Sequence, residues 1–414
     1  MAAFEFAIYW IKRVKHRRID EATNKTIDVK AHQFPPRTLA EGLAQRRDNF
    51  LLIRLIAAAM VIYGHGYAVT DHAEEVEFFE RLGWGTYSGT IAVDAFFLIS
   101  GFMITGSYLR RSNIFDYLWA RTLRLVPAYV ICVFGCAFVL GAFLTTLPLK
   151  DYFTDPATRS YALVNMHFGT DLRWDLPGVF TNNPRRSTIN GSLWTLPAEV
   201  RMYLWVGLLG LLGILSRRRY ATFVALALIA AGIAGFEYIP LVPISMFLRP
   251  SGMFALGSLC FLYRNWVPVN LALTAGMIFT CWVLRATPVY PFIFALAMAS
   301  FVFCFAYRLR WFGYNRFGDY SYGLYLWGFP VQQTAVYFWP TMSPLQNVAL
   351  SLPIALSLGI LSWYAIEKPA LRLKRIPHKL IERAPSRWRR SMSLIHERIS
   401  KLGGTTLWGK SASH

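Results

Sequence analysis

The chain has 414 residues and a formal net charge of +20, with 55% hydrophobic and 16% charged residues. Soluble domains carry about 25% charged residues. The deficit here is concentrated in long apolar runs, which excludes a large soluble core and points to a polytopic membrane protein. The basic excess sits in short clusters between those runs, so anionic headgroups and topology account for it, not nucleic acid.

Residues 1–48 form a basic segment whose first apolar stretch contains Glu5 and precedes the run from Lys12 to Arg18. A cleavable signal has the reverse order, so an interfacial amphipathic segment is expected instead. Ten apolar spans then follow, at roughly 50–69, 89–109, 126–144, 192–215, 220–238, 244–263, 268–284, 290–307, 320–339 and 345–366, each near the ~20 residues a bilayer requires. The first span carries Arg54 and His65, the second Asp94 and the fourth Glu199. Arg121 and Arg124 stand three apart just before the third, so they share one helical face. Between the third and fourth lies the longest loop, 145–190, rich in Asp, Asn and Trp. All five cysteines, Cys132, Cys136, Cys260, Cys281 and Cys304, fall inside apolar runs and read as small buried hydrophobes. The chain ends in a basic tail, 368–414, too short to be a typical catalytic domain.

Orientation follows from Lys and Arg. With the N-terminus in the cytosol, the inner pieces hold 33 basic residues and the outer pieces 8. That asymmetry predicts cytosolic termini flanking a membrane domain at 49–367. The expected fold is therefore all-α, a helical bundle of about ten transmembrane helices.

A charge near mid-bilayer costs on the order of 3 kcal/mol, so intramembrane ionisable groups are the functional candidates. Arg54 and His65 are eleven residues apart, which puts them on one face of a helix, about 16 Å apart along its axis. Counting from the predicted helix ends, His65, Asp94 and Glu199 all reach about 6–10 Å below the outer surface. Each has a plainer alternative: His65 as a structural hydrogen-bonder, Asp94 at a helix dipole, Glu199 in an ion pair. The Arg121–Arg124 pair suits phosphates held bidentately, or else an ordinary positive-inside anchor. Proton-coupled secondary transport is the competing class. Neither repeated halves nor matched broken helices support it. No ligand set for a metal appears.

Six segments, in order, resemble the acyltransferase-3 family of membrane O-acyltransferases over roughly residues 49–370. They are Arg54 with His65; Val93-Asp94-Ala-Phe96-Phe97-Leu-Ile-Ser100-Gly101-Phe102; Arg121-Thr-Leu-Arg124 with Pro127 and Tyr129; Ser192-Leu-Trp194-Thr-Leu-Pro-Ala-Glu199 with Tyr203; Gly318-Asp-Tyr-Ser321-Tyr322-Gly-Leu-Tyr325-Leu-Trp327; and Ile366-Glu367-Lys368-Pro369. The resemblance implies an inner-membrane enzyme that uses acyl-CoA, usually acetyl-CoA, as a donor substrate and acylates hydroxyls of cell-surface or exported glycans. It implies His65 as the catalytic histidine with Arg54 as its companion, Arg121 and Arg124 at the CoA end, and Asp94 and Glu199 as acids near the site. Two positions depart from the family: Gly328, where many members carry histidine, and Arg201, where many have a polar or aromatic residue. The expected chemistry is proton removal by His65, oriented by Asp94 or Glu199, with an acyl-histidine relay as a variant.

Overall fold

The computed structural model describes residues 35–375 apart from 73, 112, 234–246 and 310. The expected interfacial segment before residue 35, the tail beyond residue 375 and both chain ends lie outside the described residues. Among those described there is no strand; one isolated bridge joins Thr38 to Pro268.

Each of the ten apolar runs forms a helix: α1 Phe50–Val69, α2 Ser88–Arg111, α3 Ile114–Phe134, α4 Thr195–Leu211, α5 Arg218–Ile233, α6 Leu248–Leu262, α7 Leu271–Val283, α8 Tyr290–Arg308, α9 Ser321–Phe338 and α10 Pro344–Ser362. Helix α3 continues through a π-turn to Leu144, and α10 through another to Arg372. Among the described residues, five helices are long and apolar enough to cross a membrane: α1, α2, α3 with its extension, α8, and α10 with its extension. The chain is thus a multi-pass, all-helical membrane protein. Polar caps set the starts: Asn113 accepts from the Phe115 and Asp116 amides, and Ser343 forms a capping box with Gln346 ahead of Pro344.

Apolar surface gains little by leaving lipid, so close packing through small residues holds such bundles. A Cβ on Gly101 would stand 1.9 Å from the Phe254 carbonyl oxygen, and one on Gly257 2.0 Å from that of Leu98. These glycines let α2 and α6 touch backbone to backbone. Gly323 and Gly359 do the same for α9 and α10.

Cross-helix contacts also fix direction. Arg54 meets Asp319 while His65 meets Phe329, so α1 and α9 run parallel. Gly64 of α1 packs on Ser88, the first residue of α2, so α2 runs back the other way.

One stretch breaks the helical pattern. Residues 183–190 descend along α9 as irregular backbone, and a 3-10 turn at Gly191–Trp194 leads into α4. Asn183 donates to the carbonyl and side-chain oxygens of Gln333, whose own amide donates to the carbonyls of Arg185 and Thr188 at 2.7 Å. Deeper down, Asn190 Nδ2 donates to Leu326 O at 2.9 Å. That carbonyl needs a partner because Pro330, four residues on, has no N–H. The Cys132 thiol donates to it as well, at 3.4 Å. Deeper still, the Tyr325 hydroxyl donates to Ser192 O at 2.7 Å and lies 2.6 Å from Thr195 Oγ1. Irregular backbone at this depth is tolerated because α9 satisfies it.

Candidate active site

At the Arg54 end of α1, three helices and a turn bring four charges together. Asp319 Oδ2 accepts from Arg54 Nη1 at 2.7 Å and from Arg124 Nη2 at 2.6 Å. Arg124 Nη1 reaches Glu367 at 2.8 Å, and Ser362 donates to the other Glu367 oxygen. Asp319 and Glu367 are buried, and such charges persist only when paired and hydrogen-bonded. Asp319 lies in the turn ahead of α9. Burial pushes its carboxyl up, but the guanidiniums of Arg124 and Arg54 and the hydrogen bonds from Ser321 together hold it below the usual carboxylate range.

Beside this network lies a cavity of about 170 Å³. Arg54, Arg121, Arg124 and Lys374 line its inner part with Glu199 and Tyr203, while Thr195, Phe96 and Tyr325 line it toward the middle of the bundle. Glu199 accepts from the Tyr203 hydroxyl, and the Arg121 guanidinium stands 6.0 Å over the Tyr203 ring. The wall combines anion-binding cations with an apolar slot, an arrangement suited to a molecule with a phosphate head and a thin tail.

His65 lies farther out on α1. Its half-buried ring meets Phe329 edge-on at 5.1 Å. Its Nδ1 is buried without a hydrogen-bond partner among the described residues. The cavity wall stops short of His65. The Phe96 and Tyr325 rings, 6.0 Å apart in edge contact, stand at the outer end of the cavity.

The expected clustering of His65, Asp94 and Glu199 at one depth is corrected here. Asp94 sits six residues into α2, about 9 Å beyond Ser88 by helical rise, and Ser88 already lies against Met60 and Gly64. Asp94 is therefore deeper than His65. It also faces α6, where Arg249 grips both carboxylate oxygens, the shortest contact being 2.7 Å. Glu199 is deeper too, because α4 begins only after the chain has descended to Tyr325. Neither carboxylate bonds to His65. Counting residues from an apparent helix start failed because α1 rises above the start of α2, and because α4 begins at Thr195 only after irregular backbone and a 3-10 turn.

The expected pairing of Arg121 with Arg124 as a shared clamp is also altered. Both line the cavity, but Arg124 has its two terminal nitrogens on Asp319 and Glu367. Asp319, Glu367, Lys374, Gln333, Asn190 and Arg249 carry structural or site roles to which no spacing pointed. Asp319 and Glu367 did lie in segments singled out above as Gly318-Asp and Ile366-Glu367. Of the two departures, Gly328 leaves no free space, since a Cβ there would stand 2.7 Å from Ile62 Cγ1. Arg201 donates to Pro197 O and lies 5.2 Å over the Phe247 ring, outside the cavity lining.

The profile of the acyltransferase-3 family, described as an acyltransferase domain, matches residues 48–368. The chain is 27% identical over 353 residues to an O-acetyl transferase of Shigella phage Sf6, covering 78% of this chain and 96% of the phage protein. It is 27% identical over 373 residues to Nodulation protein 10 of Rhizobium leguminosarum bv. viciae, covering 81% of this chain and 96% of that protein. A shorter match, 34% over 163 residues, links it to Protein 2 in picA locus of Rhizobium radiobacter, covering 36% of this chain and 72% of that protein. No solved structure matches the chain. With the family match running through α1, α2, α3, α4 and α9, which carry His65 and most of the cavity lining, this chain belongs to the acyltransferase-3 family and is a membrane-bound acyltransferase.

Proposed function

We propose that the protein transfers an acyl group, acetyl in particular, from cytosolic acyl-CoA to a hydroxyl of a glycan or lipid-linked sugar at the outer face of a bacterial inner membrane. One observation carries this reading: Arg54 and His65 share a face of α1, about 16 Å apart by helical rise, with a cationic cavity beside Arg54 and the descending segment packed at Gly191 on Phe329, the ring that His65 meets. The phosphates of the donor stay at the inner mouth, and its narrow pantetheine arm occupies the cavity. Phe96 and Tyr325 must part for the acyl carbon to reach His65.

His65 then takes the proton of the acceptor hydroxyl as its oxygen attacks the thioester carbonyl. The C–S bond breaks, an ester forms, and the proton passes on to the departing thiolate. An acyl-imidazole relay at the same residue uses the same geometry. Glu199, in the cavity wall, meets the donor rather than orienting the imidazole. Asp94 acts at a distance by tying α2 to α6 through Arg249. No tightly bound cofactor is required.

The test is transfer of label from acetyl-CoA to a surface glycan by purified protein in detergent. Detergent solution has no gradient, so turnover there also separates this reading from proton-coupled transport. His65→Ala should abolish transfer while its melting temperature stays within about 2 °C of the parent, a shift equivalent to less than ~1 kcal/mol. Retained turnover in that variant refutes the assignment.

A further inference from the structure

The inner mouth of the cavity is completed from beyond the last spanning helix. The chain leaves α10 through Lys368–Arg372 and closes with a turn at Leu373–Arg375. Trp119 of α3 donates its indole N–H to Leu373 O at 3.1 Å, holding that turn against α3 only two residues from Arg121. Lys374, carried on the turn, lines the same cavity as Arg121. A lysine ammonium is a compact charge on a flexible stem, able to follow a phosphate at a mouth open to water.

We propose that Lys374 is a donor-binding residue, which together with Arg121 holds the phosphates of the acyl donor. This role rests on the acyl-CoA reading above and goes beyond it by assigning the start of the basic tail to the donor site. Trp119 serves as its positioning residue, through Leu373.

The experiment is calorimetric titration of free CoA into the full-length protein in neutral detergent, without acceptor. Wild-type protein should bind. Lys374→Gln should bind about tenfold more weakly, as expected for one lost charge-assisted bond, and Lys374→Arg should restore most of the affinity. The KM for acetyl-CoA should rise by a similar factor in Lys374→Gln with kcat unchanged and the melting temperature unchanged. If wild-type protein binds CoA and Lys374→Gln binds it equally well, the inference falls while the donor reading stands. If wild-type protein binds no CoA, the donor reading itself falls, and this one with it. A second arm repeats the titration in mixed micelles containing phosphatidylglycerol. If Lys374→Gln changes only the response to that lipid, Lys374 serves headgroups and the inference is overturned.

Discussion

Replacing Asp319 by Asn preserves shape and removes one charge from the inner network. Its Oδ2 receives two guanidinium donors, at 2.7 and 2.6 Å. The bond from Arg124, whose side chain is 12% exposed, should carry most of the effect. A charge-assisted bond in such surroundings contributes about 1.5–3 kcal/mol. Arg54 is 24% exposed, so its share is screened toward the surface value, below ~1 kcal/mol. Glu367 stays in place and neutralises Arg124 in part. The expected destabilisation of Asp319→Asn is therefore about 3 kcal/mol, at the low end of the ~3–5 kcal/mol for breaking a buried pair. Denaturant or thermal unfolding of purified protein in detergent reads it. The double variant Asp319→Asn with Arg54→Gln should be less destabilised than the sum of the single changes, by at least ~0.5 kcal/mol. An Asp319→Asn protein that unfolds together with the wild type would refute the network's role.

The same carboxylate sets a pH dependence. Its folded-state value is held below the ordinary 3.8, so its stabilisation is fully present above that value and is lost as pH falls through the lower folded value. The stability gap between wild type and Asp319→Asn should thus stay constant from neutral pH to about 4.5 and shrink only under stronger acid, which a pH series of melts checks. Asn190→Ala leaves the Leu326 carbonyl short of a partner and should cost about 1–3 kcal/mol in unfolding experiments. Gly328→Ala pushes a methyl against Ile62 and should cost about 1–3 kcal/mol, with much of the loss recovered by adding Ile62→Val.

Much of the bundle was legible because apolar run length reports directly on the bilayer. All ten expected runs are helices, and the Arg54–His65 stripe spans the inner and outer ends of α1 as the 3.6-residue period requires. The site was legible in part. Arg54, Arg121, Arg124 and Glu199 do share one cavity. Depth was misread because it depends on where a helix starts in space. The descent of residues 183–194 leaves its trace only in Asn190 and Pro330, which are distant in sequence. The Asp319–Glu367 acids were likewise hidden, since each sits outside or at the end of an apolar run, where a charge looks unremarkable. Pairings such as Asp94 with Arg249, 155 positions apart, cannot be read from one helix's periodicity.

The borrowed hydrogen bond between Asn190 and α9 has a consequence for biosynthesis. The two partners are 136 residues apart, so the ribosome delivers the asparagine long before the carbonyl it serves. Until α9 enters the bilayer, the amide of Asn190 has only the long contact to Cys132 Sγ at 3.7 Å, and the carbonyl of Ser192 only Thr195 Oγ1 at 3.5 Å. The outer segment therefore reaches its final seat late, in one step with α9. A nascent chain halted before Ser321 would hold its first helices in place while the ground beneath His65 was still unbuilt.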